Sequence, residues 1–282
     1  RNTVLYDTES KGGNPALYAY KADEGEVHTI EGLEGYIHDV KIHKLSPGKP
    51  YYFICGGENG GYSEERKFRT IPENPEHIRF VVGGDWRKGS IDFPWGRNEI
   101  SRLMVTHDPY FVINIGDFVE KAFSVSEWDD CFDHIQETWI DTQGYTIPII
   151  PIIGNHEVGT KDEFEESKED ARFYYEYFNL PGIESWYSLA ITPYLHLVTL
   201  DSETYTGKDS EQYMWADKAL KMAEDIPWKM VGFHRPAYDP RGKGNSEYFL
   251  PLFDQYHVDI VVNGDVHLYE RLQPMNPSIS KG

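Results

Sequence analysis

Cysteine is nearly absent from this chain: two residues among 282 cannot staple a fold through disulfides. Neither Cys55 nor Cys131 has a neighbour at the spacing of a metal site, so both are expected as buried free thiols. Long apolar runs are missing too. Apolar residues make up 39% of the chain, and no run approaches the ~20 consecutive apolar residues of a membrane-spanning helix. Basic residues are scarce, with 27 Lys and Arg against 47 Asp and Glu and a formal charge of −20. That excess repels polyanions, and no basic cluster offsets it, which excludes nucleic acid as a partner. No signal-like segment follows Arg1, although a leader removed beforehand is compatible with such a start, and we expect an extracytoplasmic or secreted protein.

Turn residues and prolines, in contrast, divide the chain clearly. Up to about residue 70, short β-like runs (ALYAY, YIHDVKI, YYFICGG, KFRT) alternate with turn signals such as KGGNP, SPGKP and GENGGYS. That spacing predicts a small antiparallel β-module over residues 1–72. The linker Ile71-Pro72-Glu73-Asn74-Pro75 marks a boundary, because each proline disfavours helix in the residue before it. From Glu76 to Gly282 the grammar changes. Apolar strands (IRFVVGGD, YFVINIGD, TIPIIPIIGNHE, YLHLVTLDSE, WKMVGFH, VDIVVNGDVH) alternate with helical patterns near 97–107, 126–140, 209–224 and 245–256. Alternation of this kind predicts an α/β domain with a largely buried sheet. The acidic run 161–170 is expected to be a solvated loop or helix face.

Five of these strands end in side chains able to bind a metal: Asp85, Asp117, Asn155 with His156, His234, and Asp265 with His267. Taken singly, each has a plainer explanation, since Gly-Asp after a strand usually makes a turn and a lone histidine is usually structural. Their joint occurrence is different. In open α/β sheets ligands collect beyond the carboxyl ends of strands, so residues scattered in sequence can converge on one site.

The order G-D, G-D, G-N-H-E, H and G-x-x-H resembles the signature of calcineurin-like metallophosphoesterases. The segments LDSETYTGKDSEQYMWADKAL, WKMVGFHRPAY and VDIVVNGDVHLYER narrow the likeness to purple acid phosphatases. The stretch IHDVKIHKLSPGKPYYFICGG through GYSEERKFRT resembles the later strands of the fibronectin type III-like module that precedes the catalytic domain in large members, without its first strands. The resemblance implies an α/β (α+β) four-layer metallophosphoesterase sandwich behind that module. It also implies hydrolysis of phosphate monoesters or anhydrides through a metal-bridging hydroxide. Carried over residue by residue, Asp85 and His267 would bind one metal, Asn155, His234 and Asp265 a second, and Asp117 both. A shared carboxylate would hold the cations roughly 3.5–4 Å apart, where they lower the pKa of bound water. His156 would contact the substrate phosphate. Glu157 is expected to be structural, and Arg87, Arg235, Arg241 and Lys243 lie on loops expected to border the site, where cations grip phosphate.

Two positions depart from the family pattern. Glu120 stands where purple acid phosphatases carry the tyrosine whose charge transfer to iron(III) gives their colour, and Asp265 stands where they carry a histidine. Both supply oxygen, so Glu120 becomes a further candidate ligand. The pair of ions is expected to be divalent, drawn from iron, manganese, zinc or magnesium. The family continues past the last motif with further strands of its second sheet, whereas this sequence ends at Gly282. Two other functions stay open: a phosphodiesterase, or a metal-binding surface protein that has lost turnover.

Overall fold

The computed structural model describes residues 2–87, 96–159, 171–238 and 247–273. Arg241, Lys243 and the acidic run 161–170 lie outside the described residues. The chain divides into two compact units, one made of Arg1–Val81, Gly89–Val112 and Trp128–Ile150, the other of Val82–Lys88, Ile113–Glu127 and Pro151–Gly282.

In the first unit the antiparallel module appears as expected, but with strands shifted from the sequence reading. Its sheet comprises β1 (Val4–Asp7), β2 (Tyr20–Ala22), β5 (Pro50–Gly57), β6 (Gly61–Tyr62) and β7 (Arg66–Arg69), with β3 (Val27–His28) and β4 (Ile37–His38) forming a separate pair. Strand β1 pairs antiparallel with both β2 and β5. Its apolar run is too short to stand out in sequence, yet Val4 and Leu5 are buried along with Tyr51 and Ile54 of β5. ALYAY, expected as a strand, is irregular up to Tyr20, where β2 begins, and YIHDVKI shrinks to the two residues of β4. Cys131 is buried, but Cys55 is exposed, because alternation along β5 puts Ile54 inward and turns its neighbour out.

Strand β7 ties this module to the segments 108–110 and 136–146 of the same unit. Arg69 donates to the Asp108 carbonyl (2.7 Å) and pairs with Asp141 (3.1 Å), its guanidinium 4.5 Å from the Tyr110 ring centre. Arg66 donates to the Gln136 carbonyl, and Lys67 lies 4.4 Å from the ring centre of Tyr145.

Strands β8 (Val81–Gly83), β9 (Val112–Ile115) and β10 (Ile149–Ile152) form a three-stranded sheet in the order β10-β9-β8. Every residue of β9 is buried, as its unbroken apolar run requires. Helices α1 (Gly96–Val105) and α2 (Val125–Thr138) match the helical patterns read near 97–107 and 126–140. They are joined by a buried relay: Trp139 Nε1 donates to Ser101 Oγ (3.2 Å), which lies 2.9 Å from Nε2 of His134.

The second unit carries a sheet in the order β11-β12-β13-β14, from β11 (Tyr187–Thr192), β12 (Leu195–Thr199), β13 (Trp228–Gly232) and β14 (Ile260–Val262). The last three strands run parallel, and β11 pairs antiparallel with β12. The sequence reading missed β11 and the short helix α3 (Arg172–Tyr177). Helix α4 (Glu211–Met222) starts where Ser210 Oγ accepts from the Tyr213 N–H, a serine cap. A 3-10 turn at Glu247–Phe249 runs into helix α5 (Leu250–Gln255), within the helical pattern near 245–256. Leu220, Val231, Phe233, Phe249 and Phe253 make the core between these helices and the sheet. None of the helices among the described residues is long and apolar enough to cross a membrane.

The relay fixes a pH dependence. Burial and the nearby Arg97 push the His134 imidazole down to about 4, against the smaller pull of Asp130. With its proton on Nδ1, the neutral ring offers Nε2 as an acceptor for the Ser101 hydroxyl, which itself accepts from Trp139. A histidine held neutral contributes stability that is full above its unfolded value of about 6.5 and declines as pH falls from there to about 4. We predict that urea midpoints measured at pH 7 and pH 4.5 will drop less for His134→Gln than for the wild type; equal drops would show that the relay does not titrate with folding.

Candidate metal centre

Asp85, Asp117, Asn155, His234, Asp265 and His267 lie in the second unit, just past β8, β9, β10, β13 and β14, and backbone geometry explains how short loops aim so many polar groups at one point. Asp85, Asp117, Asp265 and His267 all have positive φ, at 58°, 59°, 64° and 56°. Non-glycine residues rarely enter this left-handed region, and such strain persists where the surroundings over-determine it, chiefly at functional sites. Gly116, before Asp117, has φ 97°, and a Cβ there would lie 2.6 Å from His234 Nδ1 and 2.7 Å from Gly154 Cα. The glycines of the G-D and G-N-H-E motifs therefore allow the loops after β9 and β10 to touch.

A buried carboxylate locks those loops. Glu157, with no exposed surface, accepts from the N–H groups of Asp117 (2.8 Å) and Gly154 (2.9 Å) on Oε2, and of Phe118 (2.7 Å) and Val119 (3.4 Å) on Oε1. Burial and the Asp117 charge push Glu157 up, to about 8, against the pull of these N–H groups. Since each of these bonds presents a donor to the carboxyl group, the arrangement suits the carboxylate.

Asp117 is almost fully buried. Its Oδ1 accepts from the His156 N–H (3.0 Å) and lies 3.3 Å from His234 Nε2. Although burial opposes its charge, the hydrogen bond and charge of His234 hold Asp117 down at about 2. His234, wholly buried, gives its Nδ1 proton to the Ile115 carbonyl (2.6 Å) and turns Nε2 toward Asn155 Oδ1 (3.0 Å). Burial opposes its protonation, yet Asp117, Asp85 and Glu203 raise it to about 10. On the other side, Asp85 Oδ2 accepts from the Asp265 N–H (3.2 Å), and Asp85 Oδ1 lies 3.0 Å from His267 Nε2. Burial, with the Asp117 charge adding to it, raises Asp85 despite the nearby histidines.

Asp85, Asp117 and His267 each offer a ligand atom within 4.8 Å of the others. The donor set fits divalent cations. Asp85 Oδ1 is buried, with no well-formed hydrogen bond although His267 Nε2 lies 3.0 Å away, an acceptor whose burial needs compensation. The Nδ1 proton of His234 is taken by a backbone carbonyl, the usual way a ligating imidazole has its other nitrogen fixed. Asn155 Oδ1, Asp117 Oδ1 and His234 Nε2 form a second group of donors.

The remaining candidates fall around this centre. His156 gives Nδ1–H to the Glu120 carbonyl (2.8 Å) and presents Nε2 to Arg87. Glu120, read as a possible ligand, points its carboxylate at Arg87 (3.1 Å) and is not among the clustered trio. Asp265 reaches the centre through its backbone N–H on Asp85. Arg235 directs Nε to the buried Glu203 (2.8 Å), and its N–H donates to Ser202 Oγ. The LDSE segment thus holds Arg235, a partnership that the strand-end pattern does not reveal.

Comparison with known proteins bears on the same residues. A family model described as calcineurin-like phosphoesterase matches residues 78–269, and one described as the purple acid phosphatase N-terminal domain matches residues 1–70. The probable purple acid phosphatase 20 of Arabidopsis thaliana is 29% identical over 259 residues, covering 84% of this chain and 56% of the relative. Purple acid phosphatase 21 of the same plant is 30% identical over 258 residues, covering 86% and 54%. A solved purple acid phosphatase from yellow lupin (Lupinus luteus) seeds shares the fold, with a TM-score of 0.76 over 98% of this chain and 55% of its own, at 22% identity. The chain spans little more than half the length of these relatives.

Removing the Glu157 carboxylate strands several buried N–H donors, each costing roughly 1–3 kcal/mol when unsatisfied. Glu157→Ala should therefore lower unfolding free energy by at least about 2 kcal/mol in urea titration. A loss below about 0.5 kcal/mol, the range of ordinary surface substitutions, would mean the loops do not depend on it.

Proposed function

Because this chain belongs to the calcineurin-like phosphoesterase family, with a match to the purple acid phosphatase N-terminal domain ahead of the catalytic region, we propose that it is a metal-dependent phosphohydrolase cleaving phosphate monoesters or anhydrides. The observation that carries this reading is the convergence of Asp85, Asp117 and His267, from three separate strand ends, each offering a ligand atom within 4.8 Å of the others. In this reading Asp85 and His267 hold one divalent cation, Asn155, His234 and Asp265 the other, and Asp117 both. Such a pair of cations supplies an activated water and charge neutralisation for the phosphoryl oxygens.

This chain's own residues do the rest. Glu157 fixes the loops that carry Asp117 and Asn155 and so holds their side chains close together. His156 is oriented by Nδ1–H on the Glu120 carbonyl and by Arg87 at Nε2, and as an imidazolium it would offer Nε2–H to a phosphoryl oxygen or to the leaving group. The substrate is a small phosphate ester, consistent with an acidic protein whose local potential is reversed by bound cations.

Replacing the shared ligand tests the assignment. Losing a residue outside the ligand set typically costs 10–100-fold in metal affinity or activity, so Asp117→Ala should lower p-nitrophenyl phosphate hydrolysis by more than about 100-fold. Bound metal, measured by elemental analysis, should fall in parallel. Wild-type turnover in this variant would refute the reading.

A further inference from the structure

Glu120 occupies a place no ligand assignment explains. Its backbone carbonyl accepts the Nδ1 proton of His156 (2.8 Å), and its carboxylate lies 3.1 Å from an Arg87 guanidinium nitrogen. The Glu120 loop is pinned in turn, since the N–H groups of Glu120 and Lys121 both donate to Glu127 in the first turn of α2 (2.8 and 2.9 Å). Arg87 is fixed at its other end, where its N–H donates to the Asp117 carbonyl (3.0 Å). Between these anchors the guanidinium reaches residues of the candidate metal centre. Nη1 contacts His156 Nε2 and lies 3.8 Å from Asp117 Oδ2, while Nη2 lies 2.9 Å from His267 Nε2. One residue thus holds, through its carbonyl and its carboxylate, two side chains whose nitrogens meet each other beside Asp117.

Resting on the phosphohydrolase reading above, we infer that Glu120 is a positioning residue, which sets Arg87 and His156 as a two-pronged clamp on the dianionic terminal phosphoryl group and thereby selects monoesters over diesters. The Glu120 side chain is 56% exposed while that of Arg87 is only 17% exposed. Water therefore screens the carboxylate more than the guanidinium, and Arg87 keeps net positive character toward the site. A planar guanidinium matches phosphate oxygens with paired donors, and charge-assisted bonds of this kind are the strong ones. A monoester offers unesterified oxygens to both prongs after the cations have taken theirs. A diester replaces one with an esterified oxygen of weak acceptor strength, and a site built to bond a group discriminates against the analogue that lacks it. The Arg87–Glu120 pair stands at two positions of the second unit joined by contact, so loss of either partner should disable the same prong.

The test uses the full chain loaded with Mn2+. Inorganic phosphate binding is measured by calorimetry, metal content by elemental analysis, and kcat and KM with p-nitrophenyl phosphate and bis(p-nitrophenyl) phosphate. Arg87→Ala and Glu120→Ala should each weaken phosphate binding about 10-fold, and raise KM for the monoester more than they lower kcat. The double variant should lose little beyond the single ones, the sign of coupling. Arg87→Lys, which keeps charge without the fork, should fall between. Metal content should match the wild type in every variant, and the monoester to diester ratio should shrink. A fall in metal content for Glu120→Ala would overturn the inference and make Glu120 a ligand. Unchanged phosphate affinity in both alanine variants, or a wild type that binds no phosphate, would also overturn it. A wild type that binds phosphate but hydrolyses neither ester would sink the phosphohydrolase reading, while the calorimetric series still decides whether the clamp exists.

Discussion

The candidate site depends on one buried carboxylate gripping the backbone. Glu157 gathers N–H groups from the loop after β9 and the loop after β10, and so sets the distance between Asp117 and Asn155. Without such a tie, the positive φ of Asp117 would relax, because nothing in an isolated Gly-Asp turn compensates the left-handed conformation of a residue with a Cβ. The close approach of Gly116, Gly154 and His234 is then possible only because two of the three have no side chain. Packing, backbone strain and ligand placement are one constraint seen three ways.

Charge is organised around the same point. Asp85, Asp117, Glu157 and Glu203 are buried or nearly so, facing His234, with Arg87 and Arg235 at the margin. Against burial, Asp117, Asp85 and Glu203 raise the fully buried His234 to about 10. A site with such a deficit of positive charge suits divalent cations, whose binding would turn an acidic protein locally attractive to phosphate. Glu120 and Arg235–Glu203 show the complementary device: carboxylates outside the clustered trio hold cationic side chains in place.

Much of this was legible in the sequence. The five strand ends, their Gly-Asp and Gly-Asn-His-Glu punctuation, and the change from antiparallel to alternating grammar rest on local patterns that survive folding unchanged. The antiparallel module followed by an α/β domain is what the structure contains. Features set by tertiary context were not legible. Glu157 looks like any glutamate until the loops fold over it, and the exposure of Cys55 depends on which face of β5 is inward. The short runs of β1 and β11 carry too little periodicity to separate from turns, and α3 is only six residues long. The left-handed aspartates illustrate the divide: glycine before each signals a turn, but only the packed loops force the aspartate itself into that region.

The central claim is that these strand ends build a centre for two cations bridged by Asp117. Anomalous diffraction from crystals grown with Mn2+ tests it most directly. The account predicts two peaks roughly 3.5–4 Å apart, one against Asp85 and His267, the other against Asn155 and His234, with Asp117 touching both. A single peak, or peaks away from Asp117, would contradict it.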